Sequence, residues 1–263
     1  MGDPWLLFCF FLLGLVMGSF YNVCIYRLPR GQSLLFPSSH CPSCGRRLLP
    51  AELVPVFSYL WQKGRCRQCR TRISPRYLLV ELLTGVLFAA VYIKYGLTVL
   101  SVKYIFLFSL LLVISFIDLD YQYIISTHLY WGLAGALFFQ LISREHNWPG
   151  LLLGSFVSAG FLLLLYLISR GGMGQGDIEL AAIIGLYLGW PVTPLALILA
   201  FTLGGLAGLF LVVRKHKKRK DKLAFAPFLS LGTVLAVFAG RPLVNWYGSQ
   251  FLAIPHLYEW LAK

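Results

Sequence analysis

The sequence predicts an all-α, polytopic membrane protein with about eight transmembrane helices and a small cytoplasmic zinc-ribbon-like loop domain. Three observations lead there. Of 263 residues, 58% are hydrophobic and only 13% are charged, whereas an ordinary soluble domain carries roughly 25% charge. The apolar residues gather into runs that approach the roughly 20 helical residues of a bilayer crossing. The net charge of +13 is carried mainly by two basic blocks beside apolar runs, the distribution of cytoplasmic membrane loops. Aromatic residues lie in the apolar runs and not among the basic residues, so the expected partner is the lipid bilayer and not nucleic acid. Three segments follow: a first transmembrane helix (1–26), a cytoplasmic four-cysteine domain (27–76) and a multi-helix membrane domain (77–263).

The first span, about Leu6 to Ile25, has no basic segment before it, and Arg27 and Arg30 follow it. That pattern favours a membrane anchor over a secretory signal and puts the N-terminus outside. Cys9 and Cys24 within it read as packing residues. From Arg27 to Arg76 the chain carries ten Lys or Arg and one acid, Glu52. Within this loop Cys41-Pro42-Ser43-Cys44 and Cys66-Arg67-Gln68-Cys69 are two Cys-x-x-Cys pairs. Four thiolates close a tetrahedral zinc site, and so short a loop needs such a staple because it cannot bury much of a core. Disulfides are disfavoured in a reducing cytoplasm, and His40 reads as an exposed neighbour.

The second span, about Tyr77 to Tyr92, carries Glu81 near its start. Two readings of Glu81 stand: a functional acid, or a partner of a loop arginine. An outer turn around Lys94 to Lys103 leads to the third span, Tyr104 to Ile117, which ends on Asp118-Leu119-Asp120. On a helix these acids are about 200° apart, so one faces inward and the other solvent. Further spans run from about Ile124 to Ile142, Gly150 to Ser169, Asp177 to Trp190, Leu195 to Val213 and Leu223 to Ala239. Arg214 to Lys222 holds seven basic residues, which reads as an orientation signal beside anionic lipid. Trp246, Tyr247, Tyr258 and Trp260 suit an interfacial belt. This arrangement puts both termini outside.

Between the fifth and sixth spans lies Gly172-Met173-Gly174-Gln175-Gly176-Asp177. An acid opening an apolar helix is costly unless it has a partner or a function. The topology, set by hydropathy and charge alone, brings Asp118 and Asp177 to the same membrane face. Two carboxylates at one partly buried site do not both ionise cheaply, so one keeps a proton while the other takes one from water. That is the division of labour of an aspartyl peptidase. Cation transport, or a structural pair of buried acids, remains open on these residues alone. A catalytic metal in the loop is disfavoured, since four thiolates leave no open coordination position.

The chain resembles the type IV prepilin peptidases, membrane aspartyl proteases of the Gly-x-Gly-Asp kind. The resemblance runs from Gly18-Ser19-Phe20-Tyr21-Asn22-Val23 with Arg27-Leu28-Pro29, through the cysteine pairs, Ile73-Ser74-Pro75-Arg76-Tyr77 and Val80-Glu81-Leu82, to Ile117-Asp118 and the Gly174-Gln175-Gly176-Asp177 motif. It implies cleavage of prepilin or pseudopilin leaders after a glycine on the cytoplasmic side of the inner membrane, with Asp118 and Asp177 as the catalytic pair. It also implies N-methylation of the new N-terminal residue from S-adenosyl-L-methionine, an activity that accompanies the cysteine-bearing loop. Gly174, Gly176, Glu81, Asp120 and Glu179 are supporting candidates, and the residues binding the methyl donor are not legible. The chain departs from the family at Ile124-Ile125-Ser126, where a proline is usual, and at Glu179, where lysine is usual. An anion in place of a cation is expected to favour the protonated state of its neighbours.

Overall fold

The computed structural model describes residues 3–143, 145–170, 172–214 and 223–251. Apart from loops, two 3-10 turns and two isolated β-bridges, regular structure among these residues is α-helical. The chain divides into two compact units, one running to Ile105 and the other beginning at Phe106.

The first unit contains α1 (Pro4–Arg27), the short α2 (Phe57–Trp61), α3 (Pro75–Tyr95) and the opening of α4 (Val99–Tyr121). Local sequence explains where its long helices start. Asp3 precedes Pro4 and accepts the Trp5 N–H at 2.9 Å, and Ser74 precedes Pro75 and accepts the Arg76 N–H at 3.3 Å. Each pair sets an N-cap oxygen before a proline whose missing N–H costs nothing in the first turn. Helices α1 and α3 pack together. Phe10 stacks on Tyr92 with ring centroids 4.8 Å apart, and the Asn22 amide donates to the Tyr77 carbonyl at 3.0 Å. Arg27 is buried. Its guanidinium donates to the Ser33 carbonyl at 2.8 Å and the Pro37 carbonyl at 2.6 Å, so a residue read as a topology marker also ties down the start of the loop.

The second unit contains the rest of α4, then α5 (Ser126–Ser143), α6 (Trp148–Ile168), α7 (Gln175–Leu188), α8 (Val192–Val213) and α9 (Ala226–Phe251). Asn147 caps α6 by accepting the Gly150 N–H at 2.8 Å. Helix α7 lies against α5, α6, α8 and α9. Apolar burial contributes little to helix pairing in lipid, so close backbone approach and interhelical hydrogen bonds carry it. The Ser158 hydroxyl of α6 donates to the Ala181 carbonyl of α7 at 2.8 Å, and the Ser115 hydroxyl of α4 to Ser230 of α9 at 2.8 Å. A Cβ on Gly185 would lie 2.5 Å from the Ser155 Cα.

Eight long helices correspond in order to the expected spans, but six of them among the described residues are long and apolar enough to cross a membrane. The shortfall is α5 and α7. At 14 residues, α7 is about 21 Å long, less than a hydrocarbon core of about 30 Å. The expected outer turn at Lys94 to Lys103 is shorter than predicted: α3 continues to Tyr95 and α4 begins at Val99, so Lys103 is a buried helical residue. The final helix continues through Pro242 to Phe251, so Trp246 and Tyr247 are helical and not in a tail. Cys24 is buried as expected, whereas Cys9 is exposed on α1 and packs no core. The basic residues from 215 to 222, and Tyr258 and Trp260, lie outside the described residues.

Replacing Gly185 by leucine should separate α6 from α7, because the obstruction is backbone and cannot swing aside. The expected cost is about 1–3 kcal/mol, measured as a lower thermal midpoint of the detergent-solubilised protein.

Candidate active site and thiol cluster

Asp118 stands near the C-terminal end of α4, and Asp177 in the first turn of α7. Both are buried, with 6% and 8% of their surface exposed, and the two carboxylates interact electrostatically. Asp120, two residues on from Asp118, is exposed, as is Glu179, two residues on from Asp177. The helical period separates each pair onto opposite faces, so Glu179 projects away from the buried acids and solvent screens its charge.

The turn between these acids is built without the usual proline. Gln122 reverses the chain with φ 54°, its N–H donating to the Asp118 carbonyl at 2.9 Å, and Ile124 then packs on Gly176. A Cβ at Gly176 would lie 2.9 Å from the Ile124 Cβ, so the glycine beside Asp177 is needed for the loop after Asp118 to close. Gly174 is the N-cap of α7, and its carbonyl accepts the Asp177 N–H at 3.3 Å. Sequence reasoning missed one participant: the N–H of Ala226, the first residue of α9, donates to Asp118 Oδ2 at 3.1 Å. Ala226 is fully buried. No side-chain chemistry marks it, because the donor is backbone. The only available signal was the Pro227 that follows it near the helix start.

In the first unit, the four sulfurs of Cys41, Cys44, Cys66 and Cys69 lie within 4.8 Å of one another, and all four cysteines are free thiols. The Cys41 and Cys69 sulfurs are 3.8 Å apart, close to the edge of a tetrahedron with metal–sulfur bonds of about 2.3 Å. Two matching knuckles present them. The Cys41 N–H donates to the Arg46 carbonyl and the Cys66 N–H to the Thr71 carbonyl, both at 2.9 Å. Gly45 and Arg70 hold equivalent positive-φ positions. The cluster can therefore hold a metal ion. The Thr71 hydroxyl and N–H push the Cys69 thiol down to about 6, toward the thiolate that a metal takes. His40 is exposed, as expected, its ring nitrogen 3.1 Å from the Ser38 carbonyl, and is not part of the four-thiol group.

Glu52, the loop's acid, pairs with Arg46, while Glu81 takes a different partner from the arginine considered above. The Glu81 carboxylate accepts the Val56 N–H at 2.7 Å, with the Ser19 hydroxyl as a second hydrogen-bond partner.

These features define a class: a multi-pass helical membrane protein that buries two acids together and carries a four-thiol cluster outside its long helices. Comparison with known proteins narrows it. Residues 12–95 match the Bacterial Peptidase A24 N-terminal domain and residues 105–209 the Type IV leader peptidase family. The chain belongs to the type IV leader peptidase family. It is 36% identical over 237 residues to the prepilin leader peptidase/N-methyltransferase of Bacillus subtilis, covering 90% of this chain and 96% of the relative. It is 32% identical to that of Aeromonas hydrophila, over 95% of this chain and 97% of the relative. The corresponding Burkholderia pseudomallei protein is 33% identical over 88% and 84%. No solved structure matches the chain.

The Leu49 N–H, reinforced by Arg46, holds the Glu52 carboxyl below its ordinary 4.5. A lowered folded-state value stabilises the loop above the ordinary carboxylate range and loses that contribution as pH falls through the folded-state value. Glu52→Gln should therefore make the loop more sensitive to limited proteolysis at neutral pH, with the difference from the unaltered protein shrinking as the pH falls below the ordinary carboxylate range.

Proposed function

We propose that this chain is a membrane aspartyl peptidase that cleaves the leader of type IV prepilins or pseudopilins after a glycine and then N-methylates the new N-terminal residue. The observation that carries the hydrolytic reading is the burial together, in one compact unit, of Asp118 and Asp177, in a chain related along most of its length to prepilin leader peptidase/N-methyltransferases. In this reading one carboxylate, ionised, takes a proton from water as the water oxygen bonds to the scissile carbonyl carbon. The other, protonated, hydrogen-bonds the carbonyl oxygen. Collapse of the tetrahedral adduct breaks the C–N bond, and the departing amine receives a proton from the acid pair. The Ala226 N–H fixes the Asp118 carboxylate, and Ile124 on Gly176 fixes Asp177 against the Asp118 turn. The active site faces the cytoplasm and both termini lie outside, as the basic loops favour, with α5 and α7 completing eight crossings inside the bundle.

The four cysteines hold a structural zinc that closes the knuckles, and no catalytic step passes through it. Methyl transfer uses S-adenosyl-L-methionine, whose sulfonium supplies an electrophilic methyl group. The new amine forms an N–C bond as the S–C bond breaks, and the amine proton goes to solvent. Of the alternatives open on the acids alone, the relatives favour neither cation transport nor a peptidase without methylation.

Asp118→Asn and Asp177→Asn keep the shape of each site but remove its proton chemistry. Each should lower cleavage of a prepilin in reconstituted membranes by at least about a hundredfold, read by gel shift and by mass of the product. Normal cleavage by either variant would refute the assignment. Because Glu179 is exposed, Glu179→Lys should change the cleavage rate less than about twofold, a change comparable to other surface-charge substitutions. Metal analysis should find one zinc per chain, lost in Cys41→Ser and in Cys66→Ser.

A further inference from the structure

The first unit contains a partly open pocket of about 430 Å³ lined by α1, the loop and α3, a volume within the range of small-molecule sites. It lies wholly in the first unit, whereas Asp118 and Asp177 belong to the second, so the hydrolytic chemistry leaves it unused. We propose that this cavity binds the methyl donor, an S-adenosyl sulfonium nucleoside, with Glu81 as the anion that recognises its positive charge. This inference rests on the methyl-transfer half of the proposed function and adds the site at which that reaction takes its donor.

Three observations carry it. The first is the acid. Glu81 is buried and lines the cavity from α3. Its partners are the Val56 N–H and the Ser19 hydroxyl. An ionised carboxylate has room for about four donors, so Glu81 keeps acceptor capacity for a ligand. The second is the aromatic lining. Tyr59 from α2 and Tyr77 from α3 border the same space, as does Tyr26 from α1, one face of whose ring the Arg30 guanidinium covers at 3.9 Å. Ring faces attract cations, a sulfonium included, and offer flat apolar surface to a nucleobase. A carboxylate and tyrosine rings lining one pocket suit a ligand that is both cationic and aromatic.

The third observation is backbone strain. Val56 sits at φ 63°, ψ −55°, a conformation that a β-branched residue rarely adopts. The Phe57 N–H donates to the Pro55 carbonyl at 2.6 Å, making this a γ-turn of the less favourable hand. Such a residue is strained and persists where its surroundings hold it. Here Glu81 holds it, through the Val56 N–H. The turn places α2, with Tyr59, over the cavity, so one carboxylate both fixes the cavity wall and faces its interior. A purely structural role for Glu81 explains the turn but leaves the pocket that it lines without a purpose.

The test is direct binding to the purified full-length protein in nanodiscs, by isothermal titration with S-adenosylmethionine and, separately, with S-adenosylhomocysteine, which lacks the sulfonium charge. Glu81→Gln keeps an acceptor for Val56 but removes the anion, and should weaken S-adenosylmethionine by at least about tenfold while weakening S-adenosylhomocysteine much less. Ser58→Trp, which fills the cavity from α2, should abolish binding of both. Unchanged zinc content shows that each variant retains its folded loop. If the unaltered protein methylates a cleaved pilin and both variants bind the donor as it does, the cavity assignment is wrong and the methyl-transfer reading stands. If the unaltered protein cleaves prepilin yet neither binds the donor nor methylates, both fall.

Discussion

A carboxylate inside an apolar helical bundle must find donors or keep its proton, and the second unit is organised around meeting that demand twice. Asp118 ends α4 and meets the N-terminus of α9, whose first N–H has no partner within its own helix. Asp177 begins α7, where the positive end of the helix dipole favours an acid. Helix ends are the places in such a bundle where backbone donors remain available, so both acids sit at helix ends. The close contacts around α7 follow from this. A short helix with an acid at its start gains little from lipid, and its small residues let its neighbours enclose it.

The first unit meets a different constraint. Its loop is too short to bury a large core, and polar anchoring replaces apolar packing. Arg27 gathers the carbonyls of Ser33 and Pro37, Glu52 receives Arg46 and the Leu49 N–H, and Glu81 receives Val56. The two knuckles bring four sulfurs together. Arg27 and Glu81 tie the loop to the helices on either side of it, while Glu52 and the knuckles tie the loop to itself, and α1, the loop and α3 form one compact unit. A partly open pocket lies among them.

Much of this could be read along the chain, because membrane helices announce themselves by composition and because Cys-x-x-Cys pairs and acids in apolar runs are rare enough to notice. The boundaries of α1, α3 and α6 follow from cap residues followed by prolines. Errors arose where a charge was taken as a boundary. Lys94 and Lys103 looked like a turn, yet Lys103 is buried in α4, its ammonium 5.2 Å from the centre of the Tyr104 ring. Arg27 looked like a topology signal and is also a buried anchor. Glu81 seemed to have a choice between function and an arginine, and its partner proved to be a backbone N–H, which has no signature in sequence.

By itself the sequence determined the helical membrane class, the order of the long helices, the pairing of the cysteines into one cluster and the pair of acids worth testing. Each of these depends on residue type and spacing, and both are local. Only the tertiary structure decided that α7 is too short to match the bilayer alone, that Ala226 supplies the donor for Asp118, that Ile124 needs Gly176 to be without a side chain, and that Glu179 faces away. Those depend on backbone groups and on distances between residues far apart along the chain, and backbone groups are the same at nearly every position.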